Sequence, residues 1–240
     1  MSLKQKKALR GQTLSFKGDP FVCGPEDSVV YQSDGIVVIE GGVIIDVGAA
    51  SAVLGRHPQV LPEHYPDCLI MAGFVDAHVH YPQSEIIAAY GEQLLEWLNN
   101  YTFPAESRFG DKDYADHAAS FYLDECLRNG ISTASVYCTV HPQSVISLFE
   151  QANGRGMRMA AGKVMMDRNA PDCLLDTAQS SYDQSAALIA QWHGKNRCVY
   201  AITPRFAPTS SPEQLAAAGA LWEKYPSTLM QTHLSESPGE

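Results

Sequence analysis

Apolar positions along the chain fall into two textures. Between about Asp27 and Val47 they form short β-rich runs, Gly-Ile-Val-Val-Ile-Glu and Val-Ile-Ile-Asp-Val, separated by Gly41-Gly42. Two glycines between such runs supply the positive φ angles of a two-residue hairpin turn. Residues 1–70 therefore read as part of a small β-sandwich-like domain. After Pro66, strand-like apolar runs alternate with longer helical ones, which predicts parallel βα units. The expected strands are 69–80, 131–137, 159–165, 199–204 and 229–233. The expected helices are 92–100, 114–129, 145–153, 184–192 and 212–225. Ser211 before Pro212 is a helix start, with a hydroxyl at the cap and proline in the first turn.

No Gly-x-Gly-x-x-Gly follows the first of these strands, so the repeat favours a (β/α)8 TIM barrel over a dinucleotide-binding sheet. Such a barrel needs eight strands and residues 71–240 hold about five. The expectation is an incomplete barrel that exposes apolar surface and associates or aggregates when alone.

Composition narrows the class. A chain of 240 residues with 45% hydrophobic residues buries a sizeable core. The formal charge of −10 and the scattered lysines and arginines argue against nucleic acid as a partner. No apolar run approaches the ~20 residues of a membrane helix, and a cytoplasmic protein is expected. The six cysteines are widely spaced without a Cys-x-x-Cys pair, so they read as reduced thiols.

Chemistry concentrates at strand ends. In His78-Val79-His80 the period of a strand points both imidazoles to one face, half of a divalent metal site. By itself so short a motif is as readily a pair of exposed histidines. Thr232-His233-Leu234-Ser235-Glu236 ends the fifth expected strand and offers a third imidazole with a carboxylate beyond it. Three nitrogens suit zinc, and iron as well; Glu236 is then placed to shuttle protons near an activated water. Its alternative is a glutamate favoured by a helix N-terminus. Gln83, Arg205 and Phe206 offer an amide, a planar cation and an aromatic face, polar and stacking chemistries that suit a planar ring. Base rates alone would make Arg205 a salt-bridged arginine and Phe206 a core residue. Trp97 falls in a helix, where packing is its commoner role. Cys138 has no base partner and reads as structural. His141 could reach the barrel mouth, whereas His57, His64, His117 and His193 are expected in loops or helices without a metal role.

The chain resembles the N-terminal half of bacterial guanine deaminases of the amidohydrolase superfamily. The resemblance rests on His78-Val79-His80-Tyr81-Pro82-Gln83, on Leu94-Leu95-Glu96-Trp97-Leu98 with Tyr101-Thr102-Phe103-Pro104, on Thr203-Pro204-Arg205-Phe206-Ala207-Pro208-Thr209, and on Thr232-His233-Leu234-Ser235-Glu236. It implies His78, His80 and His233 as ligands of one zinc ion and Glu236 as the catalytic group. It also implies guanine contacts from Gln83, Arg205, Phe206 and Trp97, with His80 and His233 also facing the substrate. A homodimer is implied for the full-length enzyme. An eighth-strand aspartate ligand and a sixth-strand histidine of that family have no counterpart here, so little activity is expected of this chain alone.

Rival readings are a related hydrolase of a purine, pterin or triazine ring, and a non-catalytic metal- or purine-binding piece. A two-metal amidohydrolase would carry a lysine where the fourth strand instead ends in Arg205-Phe206. The His-x-Glu and Pro-Cys-x-x-Cys signature of cytidine deaminases is absent.

Overall fold

A computed structural model describes residues 6–91 and 93–236. Glu92, at the start of the helix expected over 92–100, and residues 237–240 lie outside the described residues. The chain divides into two compact units, Met1–Ala72 and Gly73–Glu240.

The first unit is a four-stranded sheet built from β1 (Lys6–Phe16), β2 (Val29–Glu40), β3 (Val43–Ala49) and β4 (Pro62–Met71), in the order β3-β2-β1-β4. Gly41 and Gly42 close the β2–β3 hairpin with φ of 61° and 82°, the conformation that makes glycine the economical choice there. The helix Ala50–Arg56 contributes Ala50 and Val53 to a small core with Ala8, Ile36 and Val38.

The second unit carries a parallel sheet in the order β10-β9-β7-β6-β5, with a short β8 paired to β9. Its strands are β5 (Phe74–His80), β6 (Ile131–Tyr137), β7 (Arg158–Gly162), β8 (Val164–Met165), β9 (Cys198–Pro204) and β10 (Leu229–Met230). These are the first five βα units of a (β/α)8 fold, with β7 and β8 together forming the third. Three strand expectations change. The run 69–80 is two strands, since β4 ends at Met71 and the barrel begins at Phe74. The run 159–165 breaks at Lys163, and the last strand is only two residues long. Continuous apolar character hides such breaks because each strand is apolar in its own setting.

Local rules account for the helices. Asp111 caps Lys112–Arg128 by accepting from the backbone N–H of Asp113 and Tyr114. Val145, Leu148, Phe149 and Ala152 recur at helical spacing in Pro142–Arg155 and are all buried against the sheet. Thr177 and Ser180 form a capping box on Ala178–Trp192, and Ser211 caps Pro212–Lys224 as expected. The expected 92–100 helix is reorganised into a turn of α-helix, Leu94–Trp97, a π-helical turn, Leu98–Thr102, and Phe103–Ser107. Pro104 cannot donate the bond that a regular helix places back to residue 100, and a widened turn absorbs the loss.

The sheet curls so that its first and fifth strands approach each other across the interior. Gln231, just after the fifth strand, ties it across the interior to the second, β6: its amide nitrogen donates to the Val136 carbonyl at 3.1 Å and its oxygen accepts from Ser135 at 2.8 Å. Gly162 lets β7 and β9 close up, since a β-carbon there would fall 1.7 Å from the Ala201 carbonyl oxygen.

Candidate metal centre and ring-binding cavity

His78 and His80 end β5 on the same side of the strand, and His233 follows β10. Curvature brings residues more than 150 positions apart together: His80 Nε2 lies 3.0 Å and His78 Nε2 3.2 Å from His233 Nε2. Ligands about 2.0–2.1 Å from one tetrahedral metal ion stand about 3.3–3.4 Å from each other. The donor set therefore fits a divalent ion with little rearrangement.

Two further features suit metal binding. His233 Nδ1 is 2.8 Å from the Arg205 carbonyl oxygen, which can only accept. Nδ1 therefore carries the proton and Nε2 presents its lone pair to the other imidazoles. Burial holds both His80 and His233 below the ordinary histidine range, the nearby Arg205 charge adding to the effect, so both favour the neutral, ligating form. For His233 the Arg205 carbonyl and Glu236 oppose that shift.

Tyr137, at the end of β6, forms the floor under all three rings. It stacks on His80 with centroids 4.6 Å apart and lies 4.3 Å from His233 and 5.0 Å from His78. Burial pushes its hydroxyl up to about 12, so it stays protonated at neutral pH. The sequence offered only a tyrosine ending an apolar strand, which is too common to stand out.

A cavity of about 230 Å³ opens above this floor, lined by all the residues singled out from sequence: His78, His80, Gln83, Trp97, Arg205, Phe206, His233 and Glu236, with Leu94 and Leu98. Phe206 is buried and meets His233 edge-on at 6.4 Å. Trp97 is half-buried at the end of its short helical turn, packed against a cluster containing Tyr137, Leu98, Phe103 and Phe206. Glu236 is exposed at the mouth, and its charge acts on His233 and Tyr137.

Behind the cavity lies a buried ion pair that sequence reasoning passed over. Glu106 Oε2 accepts from Arg205 Nη1 at 2.6 Å, and both side chains are buried. Gln83 Nε2 donates to the other oxygen, Oε1, at 3.4 Å. Arg205 thus becomes a buried cation with a partner and an edge on the cavity, not a surface salt bridge. A second pair joins the buried Lys163, in the break between β7 and β8, to the partly buried Asp176, and Lys163 Nζ also donates to the Val164 carbonyl at 3.3 Å.

The remaining candidates lie elsewhere. His141 stands at the N-cap position of the helix Pro142–Arg155, bonding Ser144 through its backbone carbonyl and not through its ring. His64 is in β4, not in a loop or helix as expected, because its polar character masks a strand. His57 sits 3.1 Å from Asp46, and His193 contacts Ser227 and the Tyr200 backbone. Burial pushes the Cys138 thiol up, against any nucleophilic use. Among the described residues no helix is long and apolar enough to cross a membrane.

A partial βα barrel with three imidazoles gathered at the ends of its first and fifth strands is a (β/α) architecture with a candidate metal centre at the strand ends. The amidohydrolase family model matches residues 69–240, and the chain belongs to that family. It is 51% identical to the guanine deaminase of Escherichia coli over 98% of its own length and 54% of that protein's, and the solved structure of an E. coli guanine deaminase superposes with a TM-score of 0.91. The guanine deaminase of Bradyrhizobium japonicum superposes at 0.95 with 38% identity, covering 98% of this chain and 51% of the other. A guanine deaminase from C. acetobutylicum, solved with guanine in its active site, gives 0.87 and 29% identity over 98% and 54%. The chain spans about half the length of the curated relatives it matches.

Proposed function

We propose that this chain serves the hydrolytic deamination of guanine to xanthine and ammonia. In this reading His78, His80 and His233 hold one zinc ion, and the enzyme is a cytoplasmic homodimer of purine breakdown. The observation that carries it is the placement of three convergent imidazole nitrogens on one wall of a cavity whose other walls offer Arg205, Gln83 and Phe206. Similarity to a guanine deaminase solved with guanine bound supports the choice of ring.

Phe206 and Trp97 supply aromatic faces for a planar ring, and Arg205 and Gln83 supply polar contacts at its edge. A zinc ion in the three-histidine site would supply Lewis acidity and make water nucleophilic near neutral pH. The reaction then needs one proton taken from the attacking water and one delivered to the departing amino group. Glu236, at the cavity mouth, is the carboxylate in reach of both tasks. Tyr137 keeps the floor dry and the three rings oriented.

The test is release of ammonia from guanine, with xanthine followed by absorbance, by the zinc-supplemented chain alone and fused to the C-terminal remainder of the E. coli relative. Guanine turnover that Glu236→Gln reduces by about 10²–10⁴-fold without loss of zinc supports the reading. Zinc uptake with turnover of adenine, a pterin or a triazine in place of guanine would refute it.

A further inference from the structure

Glu106 touches both polar groups that face the cavity edge, yet its own side chain is wholly buried behind them. It lies in the helix Phe103–Ser107, one turn after Phe103, so both residues present the same face to Arg205. The Phe103 ring centroid is 5.8 Å from the guanidinium carbon, and the Met166 sulfur is 4.0 Å from Nη1. The guanidinium is thereby held by charge on one side and by packing on others.

The same carboxylate constrains Gln83. As the ion-pair partner of Arg205, Glu106 offers only acceptor oxygens, so the amide that approaches Oε1 must turn its NH2 toward it. The amide oxygen of Gln83 is then directed away from Glu106, and Gln83 lines the cavity. A glutamine left to itself could present either end of its amide.

We infer that Glu106 is a positioning residue that fixes the hydrogen-bonding polarity of the cavity, with N–H donors from Arg205 and a carbonyl acceptor from Gln83. The ligand class so selected is a planar ring that carries an acceptor and an N–H donor along its edge, as an oxopurine does. The choice of ring rests on the purine reading above; the positioning itself rests on the Glu106 contacts. A purely architectural role, tying the helix Phe103–Ser107 to the barrel, would stabilise the chain without affecting ligand choice.

The experiment combines side-chain ¹H–¹⁵N spectra with calorimetric titration of zinc and guanine into the full chain and its Glu106→Gln and Glu106→Asp variants. Gln83→Ala and Arg205→Lys assign the two side-chain signals. In Glu106→Gln the Arg205 guanidinium and Gln83 amide signals should move, zinc stoichiometry should hold, and guanine affinity should fall at least about tenfold, with Glu106→Asp between this variant and the parent. Guanine affinity within twofold of the parent, with both signals unmoved, would overturn the inference. If the parent chain takes up no guanine, the spectra decide by themselves: moved signals support the positioning and unmoved ones refute it, while the purine reading is judged separately by turnover in the extended fusion. If Glu106→Gln does not fold, Glu106→Asp serves instead; a Gln83 signal and a guanine affinity equal to the parent's would refute the claim.

Discussion

Replacing His233 by alanine removes the nitrogen that stands 3.0 and 3.2 Å from those of His80 and His78, close to metal-ligand spacing, and its cost can be worked from that geometry. The parent site has one ring nitrogen from each histidine within 4.8 Å of the others, with His233 locked in the tautomer that frees Nε2 by the Arg205 carbonyl. Zinc at 100 times its dissociation constant stabilises a folded state by about 2.7 kcal/mol. For a unit of 168 residues, Gly73 to Glu240, each kcal/mol moves the melting temperature by about 2–4 °C, so zinc should raise it by about 5–11 °C. Loss of an outer-shell partner commonly weakens metal binding about 10–100-fold, and loss of a ligand should cost no less than the upper figure. At the same zinc concentration the variant is then near its dissociation constant, and the stabilisation shrinks to about 0.4 kcal/mol, roughly 1–2 °C. Calorimetric melts of parent and His233→Ala, with zinc and with chelator, make the comparison. An undiminished zinc shift in the variant, or no shift in the parent, would refute the three-histidine site.

Three further outcomes are expected. Lys163→Met leaves the partly buried Asp176 without its cation, so urea denaturation should show a loss of up to about 3 kcal/mol; an unchanged midpoint would mean the pair is dispensable. Gly162→Ala forces a methyl group against the Ala201 carbonyl, and a loss of at least about 2 kcal/mol, or insolubility, is expected, whereas parent-like stability would show that β7 and β9 can separate freely. Burial lowers the folded-state values of His80, His141 and His233, so below about pH 6.5 the unfolded chain binds protons that the folded chain refuses. Metal-free stability should accordingly fall from pH 7.5 to 5.5, and a urea midpoint that holds or rises over that interval would contradict the assignment.

What the sequence by itself determined is what depends on short-range periodicity and on residue chemistry. His78 and His80 share a face because strand side chains alternate, and Ser211-Pro212 starts a helix because hydroxyl and ring suit its first turn. The β2–β3 hairpin follows from two glycines that tolerate positive φ. The motifs around Gln83, Arg205, Phe206 and His233 were legible for the same reason: each is compact and chemically distinctive. Tertiary structure decided everything that depends on curvature and burial. Only the curl of the sheet brings His233 within 3.0 Å of His80, and only packing turns Glu106, one more glutamate in a helix, into the buried partner of Arg205 and Gln83. Lys163 and Tyr137 gained their places in the same way, as ordinary strand-end residues enclosed by elements far away in the chain. The break between β4 and β5 was hidden because an apolar run does not record which sheet it joins; hydrogen-bond partners decide that, and they come from distant segments.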